Sequence, residues 1–267
     1  MASKNFKNPY NSGFEEHKRK GKLPIISSGD STLDALLNGG FRKDLLYLLS
    51  GDRKITSRIL LETAVNFFKS QAVVPSSGGE SRRCSNFKQK VAIVDGNNKF
   101  NPYTVSKLAV SLGLSPTKVL ESVLISRAFT YEQMVELLEN KIAELEQVGA
   151  VFISGITSLW PNYDQRTFED LLKAIGGIKR VLEKLDPLTV ISAPKNEYSD
   201  FKPVGGNVLY HFSQVLVLIE DKKRYAEYKL IQHPSLPENR LIKWKPLKPK
   251  RGLKKPAKNA TLDSWFS

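Results

Sequence analysis

The chain is poor in the residues that build disulfides and metal centres. Its one cysteine, Cys84, excludes an intramolecular disulfide and any cysteine-based zinc site. Three scattered histidines, His17, His211 and His233, make no His-rich cluster. No apolar stretch follows Met1-Ala2-Ser3-Lys4-Asn5, so no signal peptide is expected. The longest apolar runs, such as Val215 to Ile219, are far too short to span a bilayer. The expectation is a soluble intracellular protein with no resident metal or cofactor and no membrane partner.

What is present in excess is positive charge, and its distribution matters more than its size. The net +14 is concentrated at the two ends. Residues 1–22 hold +4 and residues 243–267 hold +7, leaving +3 for the 220 residues between. A domain with basic residues over its whole surface fits this distribution poorly. A nearly balanced core with cationic extensions fits, and polyanions are the obvious partners.

The core is long enough to bury a substantial apolar interior as one domain, with two as the alternative. Residues 1–22 read as a flexible basic arm. A short helix follows near Leu33, Leu36 and Leu37, capped by a hydroxyl or Asp and stopped by Gly39-Gly40. Buried strands are expected at Leu45–Leu49 and Lys90–Asp95, a short strand at Ser122–Ser126, and further strands at Ala150–Ser154, Leu188–Ser192 and Val215–Glu220. Helices are expected at about 57–70, 102–112, 116–121, 131–147 and 167–185, with a surface loop over 73–89. Tyr225 to Gln232 is expected to pair with Val215–Glu220 as an antiparallel hairpin, and Leu241 to Trp244 to add an edge. Strands alternating with long helices imply parallel βαβ units, hence an α/β fold with a mixed, mostly parallel sheet flanked by helices. From Lys245 onward Lys alternates with Pro and Gly, a composition that cannot pack and reads as disordered.

Several segments, in order, carry a family resemblance. They are Ile26-Ser27-Ser28-Gly29 with Leu33-Asp34-Ala35-Leu36-Leu37-Asn38-Gly39-Gly40, then Val94 to Pro102, then Leu124 to Phe129, Val204 to His211, and Pro234 to Glu238. Over roughly residues 25–244 the chain resembles the RecA/RadA recombinase ATPase core, most closely its archaeal RadA side. The resemblance implies a RecA-like P-loop NTPase fold over 23–244. Relatives of this kind polymerise through a Phe-x-x-Ala motif. Here Phe14 stands near that place, His17 occupies the alanine position, and a plain disordered arm is the alternative.

At the positions where that family carries its chemistry, the chemistry is missing. A P-loop needs glycines so that backbone N–H groups close on phosphates, a Lys for the β/γ-phosphates and a Ser/Thr for Mg²⁺. The matching stretch reads Gly51-Asp52-Arg53-Lys54-Ile55-Thr56-Ser57-Arg58. Lys54 and Thr56 replace glycines, and β-branched Ile55 and Thr56 disfavour positive φ. Ser57 takes the place of the lysine and Arg58 that of the magnesium hydroxyl. Lys54 or Arg58 remains able to neutralise a phosphate, though not through this motif's geometry. Ser154 stands for the magnesium-linked aspartate, and Asn97 for the glutamate that orients water, an amide that is no base. The resemblance therefore implies a pseudo-ATPase with a degenerate nucleotide site. Asp95 reads as a helix or turn cap more readily than as a metal partner.

The C-terminus, Asn259-Ala260-Thr261-Leu262-Asp263-Ser264-Trp265-Phe266-Ser267, puts Leu262, Trp265 and Phe266 on one face of a helical turn. It resembles the peptide by which replication and repair proteins bind the sliding clamp PCNA, with Asn259 in place of the usual Gln. The alternative is that the aromatics fold back on the protein's own surface. The preceding linker, 245–258, contains Lys248, Lys250, Arg251, Lys254, Lys255 and Lys258. Its roles are spacer and solubility, or non-specific contact with DNA phosphates. In RadA relatives two loops face single-stranded DNA. Here they are about 160–167, with Trp160, Tyr163 and Arg166, and 194–207, with Lys195, Tyr198, Phe201 and Lys202. Glu197 and Asp200 dilute that charge, which leaves a protein-binding surface equally open.

The resulting expectation is a non-catalytic, nucleoid-associated accessory protein of DNA replication, repair or recombination. It would bind PCNA and contact DNA non-specifically. The alternatives are a residual DNA-dependent ATPase, or a structural subunit docking on a recombinase, primase or polymerase.

Overall fold

A computed structural model describes residues 23–72, 87–160 and 164–245. The basic arm, most of the 73–89 loop with Cys84, Tyr163, the Lys/Pro linker and the C-terminal peptide lie outside the described residues.

Ten strands and seven helices are described, labelled in chain order. They are β1 (Ile25–Ile26), α1 (Ser31–Leu36), β2 (Phe41–Arg42), β3 (Leu46–Gly51), α2 (Arg53–Ala72), β4 (Lys90–Asp95), α3 (Pro102–Ser111), α4 (Pro116–Glu121) and β5 (Val123–Arg127). There follow α5 (Tyr131–Glu139), β6 (Val148–Ser154), α6 (Gln165–Leu185), β7 (Leu188–Ala193), α7 (Gly206–Phe212), β8 (Val215–Asp221), β9 (Tyr225–Gln232) and β10 (Asn239–Trp244).

Eight strands form one sheet in the order β10-β9-β8-β3-β7-β6-β4-β5. From β8 to β5 every pairing is parallel, and β9 and β10 add an antiparallel end. β1 and β2 form a separate two-stranded ribbon. This is the mixed, mostly parallel sheet expected of a RecA-like α/β core.

The sheet is buried on both sides because its central strands are mostly apolar, with a few small hydroxyl residues such as Ser50, Thr189 and Ser192, while period-2 alternation sends neighbours to opposite faces. Tyr47 and Leu49 of β3 pack with α1 to α4, and Leu46 and Leu48 pack with α5 to α7. Phe152 of β6 belongs to the first layer and Val151 and Ile153 to the second. The strand ends that carry the candidate site therefore sit between two filled layers.

Two helices differ from expectation. α2 begins at Arg53 rather than about 57, because its first turn is built from the segment matched to the P-loop. α5 ends at Glu139 rather than 147, and Lys141–Glu144 forms a 3₁₀ turn instead. The cause is tertiary. Gly177 of α6 lies so close to α5 that a Cβ there would come 1.8 Å from the Leu138 carbonyl oxygen. Arg180 donates to the Glu139 carbonyl, and Lys184 donates to those of Ala143 and Leu145. With those carbonyls held by α6, the helical ladder stops. The β1–β2 ribbon and α7 were not expected at all.

Candidate functional site

Gly51 closes β3 with φ +123°, and a Cβ there would lie 2.0 Å from the Ile219 carbonyl oxygen of β8. Only glycine meets both demands. The chain then turns straight into α2. Asp52 caps that helix: its Oδ1 accepts from the N–H groups of Lys54 (2.9 Å) and Ile55 (2.8 Å). Thr56 donates its hydroxyl and its N–H to the Asp52 carbonyl at 2.9 and 3.0 Å. The amides that a P-loop would turn on phosphates are thus held by the chain's own carboxylate. No open, glycine-rich loop remains.

Ser57, Ser154 and Asn97 come from α2, the end of β6 and the turn after β4. The structure brings all three together. Ser57 Oγ and Ser154 Oγ are 3.1 Å apart. Asn97 Nδ2 donates to Ser57 Oγ at 3.2 Å and to Ser154 Oγ at 3.1 Å. All three are buried. The cluster is uncharged, so it holds neither the cation for a phosphate nor the carboxylates for a metal. Asn97 Oδ1 and Ser158 Oγ are buried beside it without a hydrogen-bond partner. Both lie within 2.5 Å of the point where a Cβ on Gly155 would stand.

Asp95, fully buried, accepts from the backbone N–H groups of Asn97 (3.2 Å), Lys99 (2.8 Å) and Phe100 (2.7 Å). It is a turn cap, as the sequence implies.

Arg58 is diverted. Its Nη2 donates to Asp30 Oδ2 at 3.0 Å, and its Nε lies 3.9 Å from Glu62. Asp30 is wholly buried. It caps α1 through Thr32 and Leu33, and it also accepts from Tyr228 (2.9 Å) and Lys243 (2.7 Å). Burial alone would raise its pKa, but the Lys243 and Tyr228 hydrogen bonds, with the Lys243 charge, hold it below its ordinary value. Burial raises the Tyr228 phenol, and the Asp30 charge raises it further. Glu62 is raised as well, by burial, with Arg58 opposing. Arg58 is therefore part of a structural knot and is not free to meet a phosphate, a correction to the expectation. Lys54 is exposed and has no acidic partner among the described residues.

The two loops matched to DNA-facing segments are less open than their composition implies. Trp160 is half-buried against Tyr131 (6.1 Å between centroids), and Phe201 packs on Tyr210 (5.9 Å). Lys195 is paired with Glu220 at 2.9 Å. Of the described aromatics in these two loops, Tyr198 alone projects freely, at 98% exposure. Arg166 is exposed in the first turn of α6, and Lys202 is half-buried with no acidic partner among the described residues. The linker cations Lys248 to Lys258 lie outside the described residues.

The Rad51 family model matches residues 18–189. The chain belongs to the Rad51 family. That places it in the RecA/RadA recombinase superfamily, in line with the motif order and the sheet. It is 26% identical over 242 residues to the DNA repair protein RAD51 of Mycosarcoma maydis, covering 84% of this chain and 68% of that one. It is 25% identical over 252 residues to the DNA repair and recombination protein RadA of Metallosphaera sedula (87% and 74%). With the RadA of Cenarchaeum symbiosum the identity is 24% over 249 residues, 86% of this chain and 59% of that one. Fungal and archaeal relatives match about equally, so the archaeal side is not singled out.

Sequence reasoning missed Asp52 and the Asp30 knot. Asp52 was legible as an N-cap, an Asp immediately before a helix start. The knot had no local signal, since Tyr228 and Lys243 lie 198 and 213 residues from Asp30.

Proposed function

We propose that the chain is a non-catalytic Rad51-family protein that serves DNA repair or recombination as a binding scaffold. The observation that carries this reading is the neutral Ser57–Ser154–Asn97 cluster beneath a helix start already capped by Asp52. In-line phosphoryl transfer needs positioned positive charge, a metal and a water-orienting group. None of the three positions supplies one. Its similarity to proteins named for DNA repair and recombination supports DNA as a partner. The cationic linker supports phosphate contacts, and residues 259–267 support docking on PCNA.

The nucleotide part of the reading is tested by thermal unfolding with and without Mg·ATP. A ligand that binds only the folded state raises Tm as its concentration passes Kd. No shift is expected at millimolar Mg·ATP, and a saturable, magnesium-dependent rise overturns the reading.

One observation favours a structural subunit as the second reading. β5 is a sheet edge, and Ile125 and Phe129 are 39% and 64% exposed at and just beyond it. An unpaired edge bordered by apolar side chains is a template for strand addition. Salt-insensitive association with a recombinase, primase or polymerase subunit, without DNA affinity, would favour it over the first reading.

A further inference from the structure

The end of the sheet next to the capped helix holds a cleft. β10 finishes on Trp244, which is 70% exposed although it lies in a strand. Its ring meets Tyr225 of β9 at 5.5 Å between centroids. Between this pair and the start of α2 lies a cleft of about 320 Å³. Four cationic side chains line it, Lys54, Arg58, Lys243 and Lys245, against one carboxylate, Asp221. Asp221 is itself paired with Lys245, and Asp30 holds both Arg58 and Lys243. The Lys245 N–H donates to the Arg224 carbonyl, which brings the β8–β9 turn, Lys222-Lys223-Arg224, to the rim. Lys54, Lys223 and Arg224 are exposed and have no acidic partner among the described residues.

An exposed indole with unpaired cations on both sides is the chemistry of a single strand. Every unpaired base offers a π-face to stack, and the phosphates on either side of it need neutralising. A duplex hides its bases from such a site, and an acidic peptide has no use for the indole. The loop after β6 is a poorer candidate, since Trp160 is packed inward, and the loop after β7 offers exposed Tyr198 but packs Phe201 inward and pairs Lys195 with Glu220. The cleft also runs, in sequence, directly into the six cations of the linker.

We propose that this cleft is a single-stranded nucleic-acid site, with one base stacked on Trp244 and adjacent phosphates met by Lys54, Lys223 and Arg224. It rests on the reading that the protein contacts DNA, and it makes the neighbourhood of the lost P-loop the place of contact.

The test is fluorescence anisotropy of a labelled oligothymidylate with the full chain. Trp244→Ala is expected to weaken binding by about tenfold, and Trp244→Phe to keep most of it. Lys54→Ala should lower the salt slope by about 0.7. Tyr198→Ala with Lys202→Ala, on the loop matched to a DNA-facing segment, should weaken binding less than Trp244→Ala does, and Trp244→Ala should leave duplex binding unchanged. If Trp244→Ala binds like the unaltered protein while linker-wide Lys/Arg→Gln replacement abolishes binding, the DNA reading stands and the cleft proposal falls. If the unaltered protein binds no oligonucleotide, the DNA reading itself falls. If polyglutamate displaces the oligonucleotide at matched charge, the cleft is an acidic-peptide site and the proposal is overturned.

Discussion

Ser57 Oγ and Ser154 Oγ stand 3.1 Å apart, and the Asn97 amide bridges them. In the family pattern these positions belong to a lysine, an aspartate and a glutamate. Here they hold one neutral hydrogen-bonded cluster, and a neutral cluster tolerates burial where a lone charge does not. Ser57→Lys should therefore destabilise the protein, by about 2–4 kcal/mol in urea unfolding, because the ammonium finds no carboxylate. Adding Ser154→Asp should recover part of that loss without creating turnover, since Asp52 still holds the helix start.

Gly51 is a second fixed point. Gly51→Ala forces a Cβ against the Ile219 carbonyl at a positive φ, so about 3 kcal/mol or more should be lost, with β8 slipping from β3. Urea unfolding with a change in amide exchange along β8 reads this directly. An Ala variant as stable as the parent would mean that the sheet end is looser than described.

Acid should open the Asp30 knot. The folded pKa of Asp30 lies below its ordinary 3.8, so its stabilising contribution is complete above about pH 4 and is lost as pH falls through the folded value. Asp30→Asn should cost about 2–3 kcal/mol at neutral pH, the exposed ends of Arg58 and Lys243 softening the loss. It should also flatten the stability profile below pH 4. Parallel acid titrations of the two proteins, followed by circular dichroism, check the sign and the window.

Much of this was legible in the sequence, for definite physical reasons. Continuous apolar runs bounded by Gly and Ser gave the central strands almost to the residue, as at Lys90–Asp95, because a doubly covered parallel sheet leaves no other composition. Ser57, Ser154 and Asn97 could be singled out from the sequence, but not that they touch. Contact between them depends on how β4, β6 and α2 converge. α5 was overextended because Ile142 and Leu145 continue its periodicity, and only the close approach at Gly177 cuts it short. The Asp30 knot joins α1, α2, β9 and β10, and no local pattern announces such long-range pairing.

The C-terminal peptide gives the sharpest binding prediction. Trp265→Ala with Phe266→Ala should weaken association with PCNA by at least about thirtyfold, since aromatic anchors of this kind are each worth about 2 kcal/mol or more. Calorimetric titration of the full chain and of the double variant checks it, and equal affinities would end the clamp assignment.

The account's central claim is that a Rad51-family core has become catalytically silent. ATP turnover measures this most directly, with the unaltered full-length protein, Mg²⁺ and single-stranded DNA. The account predicts no turnover above a protein-free control, with or without DNA. Magnesium-dependent, DNA-stimulated hydrolysis that co-purifies with the protein and is altered by Asn97→Ala would contradict it.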